Sequence, residues 1–436
     1  MTAANKNLEV FYHCVDKLVP YKNNPRTHTE KQIHQIAKSI SQFGFTNPIL
    51  LDDNFGVIAG HGRLEAAKRL GMNAIPTIRL SNMTEAQKKA YIIADNKLAE
   101  NAGWDQKLLA LEIKYISEID VDFDLSVIGF ETPEIDILLH EEPSESELEI
   151  VPPERPVTRP GDKWILGPHI VLCADATRSE SFEALLGVER PEIVFIDPPY
   201  NVKIDGHVRG KGHKKHDEFL MASGEMSQNE FTSFLQSVFK HLAHYTVDGS
   251  LHYVCMDWRH LEEIVVAGHA YTELKNLCVW NKTNGGMGSF YRSKHELVFV
   301  FKHGTAKHIN NIDLGKFGRY RTNVWDYAGV NTFKNDRENE LNMHPTVKPL
   351  QLVADVLLDA SHRNSLVLDC FGGSGSTLIA AEQHGRRARL VEYDPRYVDV
   401  IITRYETLTG KHAVLAETKE VFKQVSAQRL MQSANA

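Results

Sequence analysis

Residues 365–395 read SLVLDCFGGSGSTLIAAEQHGRRARLVEYDP, and the order of apolar, glycine and polar positions in this stretch decides the fold class. The pattern predicts a strand, a glycine turn, a helix and a second strand ending at Glu392. Gly372, Gly373 and Gly375 allow a backbone to approach a ligand closely, and an acidic residue at the tip of the next strand is placed to accept ribose hydroxyls. Such a unit predicts a doubly wound, Rossmann-like α/β sheet whose ligands collect at the carboxyl ends of the strands. A packing turn of the same composition would look alike in isolation.

The third glycine of the dinucleotide pattern is missing: Leu378 stands in its place, and no basic residue lies inside the loop to meet phosphate. A nucleoside without phosphate fits such a loop better than NAD. S-adenosylmethionine is one, with an amino-acid tail and a transferable methyl group. Upstream, residues 192–200 read EIVFIDPPY, an apolar run that predicts a strand ending at Asp197. Two consecutive prolines fix φ and carry no N–H, so the turn presents acceptors rather than donors. That socket suits an exocyclic amino group on a flat base, whose lone pair is delocalised into the ring. The Asp197 carboxylate and the Pro198 carbonyl can each accept one N–H, and both stabilise the positive charge that develops as nitrogen attacks a methyl carbon. Tyr200 offers a face for stacking. The plain alternative is an ordinary turn after a strand.

With the two motifs in this order, the chain resembles the beta-class amino DNA methyltransferases. Further correspondences run from about Gly161 to Lys411: ADAT at 174–177, WNKTNGG from Trp280, HPTVKP from His344, then LDCFGGSGST and VEYDP. The resemblance implies that Asp197, Pro198, Pro199 and Tyr200 hold the target base. It implies that Asp369, Phe371, Gly373, Gly375, Ser376, Thr377 and Glu392 line an S-adenosylmethionine pocket, with Asp175 reaching the cofactor adenine. Within that family an aspartate at the first turn position more often accompanies adenine N6, and a serine cytosine N4. The implied activity is site-specific methylation of adenine N6 in double-stranded DNA; cytosine N4 methylation and a catalytically silent DNA-binding adaptor are the alternatives. Duplex DNA hides the amine, so the nucleotide must flip out at a cost on the order of a few kcal/mol. Residues 347–360, VKPLQLVADVLLDA, read as a helix start after Thr346. Free amides there, with Lys348, suit the carboxylate of the cofactor's methionine tail; a simple cap with Lys348 in solvent is the alternative.

A formal charge of -8 argues against a chain that coats DNA nonspecifically, because phosphate binding relies on clustered Lys and Arg. The charge is uneven. Residues 201–218, NVKIDGHVRGKGHKKHDE, are expected to form a mobile basic loop in which Lys211, Lys214 and Lys215 meet the DNA backbone, unless the loop is merely solvated. The stretch 303–343 breaks the rhythm of strands and helices where target recognition regions commonly fall. Arg319, Arg321, Asn323, Asn331 and Lys334 are types that read base edges or phosphates, although an insertion anchored by Trp325 and Tyr327 would look similar.

The N-terminal third is a different module. From Leu18 to Leu98, through NNPRTHTEKQIHQIAKSISQFGFTNPILL and GVIAGHGRLEAAKRLGMNAIPTIRL, it resembles the ParB and sulfiredoxin superfamily, which implies a small α/β domain. Thr29 is expected to cap an amphipathic helix carrying Ile33, Ile36, Ala37 and Ile40, with Gly44 ending it. Strands are expected at 48–51 and 56–59. Gly60, His61, Gly62 and Arg63 then form a strand-to-helix turn where His61 and Arg63 can hold a phosphate or nucleotide, or simply pack helix on strand. The resulting division is a ParB-like domain at 1–100, a helical extension at 101–140, an acidic proline-rich linker at 141–160, the methyltransferase domain at 161–412 and a polar tail at 413–436. Five cysteines without a CxxC pair read as reduced thiols of a cytoplasmic protein. The 21 histidines form no HxxxH or Cys/His set, so no metal is expected. A polar start and apolar runs of only strand length give no expectation of a membrane, and the resemblance allows a homodimer.

Overall fold

A computed structural model describes residues 8–119, 123–139, 151–201, 224–282, 290–316, 318–328 and 348–434. The chain divides into two compact units, 1–140 and 141–436.

In the first unit, β1 (Val10–Cys14), β2 (Ile49–Leu51), β3 (Val57–Ala59) and β4 (Ala74–Arg79) form a sheet in the order β1-β4-β2-β3. Helix α1 (Glu30–Phe43) starts where Thr29 accepts from the Gln32 amide and stops at Gly44, whose φ of 79° few other residues adopt. Helix α2 (His61–Arg69) follows β3 directly, with Gly60 at φ 101° as its N-cap. Val15, Ile49, Leu51, Val57, Leu64 and Ile75 make one core. Helices α3 (Glu85–Glu100), α4 (Gln106–Ile119) and α5 (Thr132–Leu138) complete the unit, the last two enclosing a small second core of Ile113, Leu125 and Ile135.

The second unit is a sheet of ten strands in the order β11-β9-β10-β8-β7-β12-β13-β6-β5-β14. They are β5 (Lys163–Leu166), β6 (His169–Cys173), β7 (Ile193–Ile196), β8 (Leu251–Met256), β9 (Glu273–Lys282), β10 (His295–Lys302), β11 (Val324–Tyr327), β12 (Leu366–Asp369), β13 (Arg387–Glu392) and β14 (Val414–Leu415). The centre, β8-β7-β12-β13-β6, is parallel, and β10 runs antiparallel to both β8 and β9. Every residue of β7 is buried, as a parallel strand covered on both faces requires. Ile193 and Phe195 face a core that contains α9 (Leu350–Ala360), α10 (Ser376–Gln383) and α11 (Pro395–Thr409). Val194 and Ile196 face another, with α6 (Ser179–Leu186), α7 (Gln228–Tyr245) and α8 (Leu261–Ala267). From β7 the chain crosses through α7 to β8 on one side, and from β12 through α10 to β13 on the other. The order reverses between β7 and β12, so a ligand crevice opens at their carboxyl ends.

The C-terminal stretch differs from the expected polar tail. Strand β14 pairs with β5, and α12 (Phe422–Ala434) packs Phe422 edge-on to the buried Trp164 ring while Arg429 pairs with Asp162. The expected linker also ends early: the amides of Val157 and Thr158 donate to the buried Asp399 carboxylate at 2.6 and 3.0 Å. Sparse apolar content hid both attachments, because their partners lie in distant parts of the sequence.

Candidate active site

Asp197 follows β7 at the point where the sheet order reverses. The Tyr200 hydroxyl donates to its Oδ1 at 2.8 Å, and the Lys348 ammonium lies 2.6 Å from its Oδ2. Glu296 on β10 stands beside them, 3.1 Å from the same ammonium and 3.2 Å from the Tyr200 hydroxyl. Its other oxygen pairs with Lys282 on β9. Burial pushes the Asp197 carboxyl above its ordinary range, the Lys348 ammonium pulls against that, and the Glu296 charge adds to the push. Glu296 itself titrates at about 2: burial raises it, but the Lys348 and Lys282 ammoniums outweigh that. Two largely but not fully buried carboxylates therefore share one buried ammonium. Asn201, at φ 52°, fixes the end of the turn by donating to the Met226 carbonyl and accepting from the Gly224 and Met226 amides.

The glycine turn lies beside this cluster at the end of β12. Asp369 accepts from the Phe371 amide at 3.0 Å and the Thr377 hydroxyl at 2.6 Å. Burial pushes it up to about 7, and the Asp197 charge adds to the shift. Glu392, at the end of β13, accepts from the Gly373 and Asp394 amides at 2.7 and 2.8 Å, and burial likewise raises it to about 7. An ionised carboxylate offers about four lone-pair positions, so two remain for a ribose diol. A Cβ on Gly375 would sit 2.9 Å from the Ile401 side chain, at a φ of 85°, so the turn tolerates no side chain there. Asp175 caps its own turn, accepting the Thr177 amide and hydroxyl at 2.8 and 2.7 Å. It follows β6, whose end pairs with that of β13 through the register Cys173 to Glu392. The geometry fits a nucleoside with a cationic group: glycines leave room, and buried carboxylates stand where ribose and positive charge need acceptors.

Lys348 requires a correction. Its carbonyl accepts from Ser376 at 3.4 Å, beside the glycine turn, but its ammonium points to Asp197 and Glu296 rather than to a helix end. Helix α9 begins after Pro349 without a side-chain cap; Thr346 lies outside the described residues. Arg319 and Arg321 are a second correction. Both guanidiniums are largely buried against Asp355 and Asp359 of α9, with Arg319 2.6 Å and Arg321 3.0 Å from the Asp359 carboxylate, and so are committed to packing rather than presented to bases. Lys211, Lys214, Lys215, Asn331 and Lys334 lie outside the described residues. In the first unit, the His61 ring accepts the Tyr21 amide through Nε2 at 3.2 Å, and burial lowers its pKa. His61 is thus neutral, and the positive charge of that turn is Arg63, whose Nε is buried without a hydrogen-bond partner. Sequence reading missed Glu296, whose weak signal is a charge just before the apolar run 297–301, and gave no role to Lys282 of the WNKTNGG motif.

A parallel sheet with an Asp-Pro-Pro-Tyr turn and a glycine turn side by side at its switch point is an arrangement suited to a nucleoside ligand. Residues 192–403 match the DNA methylase family of N6 and N4 enzymes, residues 3–96 the ParB N-terminal domain, and residues 107–160 the ParB-methyltransferase HTH domain. The last of these matches spans both most of the expected helical extension, 101–140, and the whole of the expected linker, 141–160. The chain is 25% identical over 254 residues to the Type II methyltransferase M2.MboI of Moraxella bovis, covering 54% of this chain and 88% of that protein. It is 45% identical over 85 residues to the ParB-like nuclease domain-containing protein YnaK of Escherichia coli (strain K12), covering 20% of this chain and 98% of that one. Among solved structures, the PvuII DNA methyltransferase (cytosine-N4-specific) aligns with a TM-score of 0.42 and 16% identity, covering 63% of this chain and 94% of that one. The chain thus carries a DNA methylase domain of the N6 and N4 family, a family that uses S-adenosylmethionine, over residues 192–403, and a ParB-like domain on its N-terminal side.

Proposed function

We propose that the protein transfers a methyl group from S-adenosylmethionine to the N6 amine of adenine in double-stranded DNA at a specific sequence. The observation that carries this reading is the Asp197 carboxylate held at the end of β7, since aspartate in that position is the variant that more often accompanies adenine in the family. When bound, S-adenosylmethionine supplies an electrophilic methyl group. Glu392 accepts its ribose hydroxyls, Asp369 and Asp175 bind beside it, and Gly373 and Gly375 keep side chains out of its way. Asp197 and the Pro198 carbonyl accept the two N–H groups of the target amine, which localises the nitrogen lone pair and stabilises the charge that develops on it. Tyr200 packs against the flipped base, and aromatic platforms of this kind offset roughly 1–3 kcal/mol of the flipping cost per base.

DNA backbone contacts are assigned to Lys211, Lys214 and Lys215. A phosphate or nucleotide at the ParB-like unit would take its charge contact from Arg63. We place the protein in the cytoplasm, where its DNA substrate lies. Among the described residues, no helix is long and apolar enough to cross a membrane.

The test is to incubate the protein with labelled S-adenosylmethionine and unmethylated genomic DNA, then digest and separate the nucleosides. Label in N6-methyladenine supports the reading. Label in N4-methylcytosine replaces adenine by cytosine on the same scaffold. Retained DNA binding without any label favours a silent adaptor.

A further inference from the structure

Four ionisable groups meet at the base-accepting turn, and the reaction as described uses two of them. Lys348 is 5% exposed, and its ammonium bridges Asp197 at 2.6 Å and Glu296 at 3.1 Å. It also stands 5.3 Å from the Tyr200 ring centroid and 5.9 Å from that of Trp280. Glu296 comes from β10, two strands from β7, and Lys282 from β9 neutralises its other oxygen. A lysine lying on the acceptor has opposed effects. It keeps a buried carboxylate ionised, and it occupies an oxygen that the incoming amine needs.

We propose that Glu296 is a positioning residue for capture of the target base: anchored by Lys282, it shares the Lys348 ammonium with Asp197 and so sets how readily the acceptor is uncovered. The inference rests on the amino-methyltransferase reading above. When the target amine arrives, Lys348 yields Asp197 Oδ2 and remains paired with Glu296, so no charge is stranded. No bond is made or broken in this exchange, and the ammonium keeps its protons. Without Glu296, Lys348 would have Asp197 as its one anionic partner in the cluster and would compete harder with the base. Without Lys348, two carboxylates would face each other across the Tyr200 hydroxyl, and one would take up a proton. The groups facing Asp197 are Lys348 before α9, Glu296 on β10, Tyr200 on its own turn, Cys255 on β8 and Asp369 on β12, with Lys282 behind Glu296.

The experiment measures single-turnover methyl transfer to unmethylated genomic DNA across pH 5.5–9, about the range over which such buried groups titrate. Cofactor is saturating, and wild type is compared with Glu296→Gln, Lys348→Met and the double variant. The acidic limb is expected to move up by about one pH unit in Lys348→Met, to move down in Glu296→Gln, and to return toward wild type in the double variant, because removing either charge changes Asp197 in opposite directions. Glu296→Gln also raises the DNA concentration for half-saturation more than it lowers the saturated rate, while Glu296→Asp restores part of the loss. Calorimetric binding of S-adenosylmethionine shows that each variant is folded; if Lys348→Met fails to fold, the limb of the double variant against that of Glu296→Gln isolates the same effect. Wild-type transfer with acidic limbs unmoved in the variants, or a double variant that behaves as Lys348→Met alone, overturns the inference. A wild type that transfers no methyl overturns the amino-methyltransferase reading and the inference with it.

Discussion

The two carboxylates proposed to hold the cofactor are where single residues carry the most chemistry. Asp369 and Glu392 are both raised to about 7 by burial. A ribose diol and a cationic cofactor bind the ionised forms, so binding must lower these pKa values, and affinity for S-adenosylmethionine must fall as pH drops through 7. Calorimetric titration from pH 6 to 8.5 is expected to show tighter binding at the alkaline end, and Glu392→Gln to weaken binding and flatten the slope. A dissociation constant that ignores pH would contradict the assignment. At the base, Tyr200→Ala is expected to weaken flipping by roughly 1–3 kcal/mol while cofactor affinity changes little. A 2-aminopurine substrate that flips as fully in the variant as in wild type would remove Tyr200 from that role. These residues were legible because each motif is contiguous: Asp197-Pro198-Pro199-Tyr200 and the run from Asp369 to Glu392 need only their own strand and turn to be assembled. Glu296 was not, since nothing in the sequence near His295 states that β10 will lie two strands from β7. The pairing of the Lys348 ammonium is hidden for a related reason. A lysine beside a helix start suggests an anion, and the stronger buried anion, Asp197, is 151 positions away in the sequence.

Between residues and fold lies the packing of elements, and the stretch ahead of α9 is the instructive case. Arg319 and Arg321 were grouped by type with residues that read DNA, yet they meet Asp355 and Asp359, one turn apart on α9, and Tyr327 donates to Asp355 at 2.6 Å. Removing one partner of a buried ionic cluster strands the others at a cost of about 3–5 kcal/mol. Arg321→Ala is therefore expected to lower the melting temperature by several degrees and to leave the salt dependence of DNA binding as it was. Replacing Lys211, Lys214 and Lys215 together should do the reverse, flattening the salt slope at constant stability. The opposite pattern would return Arg321 to the DNA. Asp355 and Asp359 are four residues apart and so share one face of α9, but that spacing does not say which guanidiniums cover them.

At the scale of the whole molecule, the order of the motifs fixed the architecture. Two strand-turn motifs that each lead into a crossover place β7 beside β12, and the crossovers leave that pair in opposite directions. The C-terminal stretch was underread because its anchors are single side chains, Phe422 on Trp164 and Arg429 on Asp162, set in a polar sequence. The two units have separate cores, so thermal unfolding is expected in more than one step. S-adenosylmethionine at a hundredfold excess over its dissociation constant adds about 2.7 kcal/mol to the state that binds it. Scanning calorimetry should show it raising the transition of the second unit alone. A shift of the first unit's transition would mean that the cofactor site had been assigned to the wrong half.

The proposed reaction turns on Asp197 accepting the target amine beside the proposed cofactor site. Methyl transfer to DNA by Asp197→Asn, measured beside wild type with the cofactor affinity of each, tests it most directly. A fall of about 10²–10³ in the transfer rate is expected, the size typical of losing one charge-stabilising acceptor, with cofactor affinity within a few fold of wild type. Transfer by Asp197→Asn at close to the wild-type rate would contradict it.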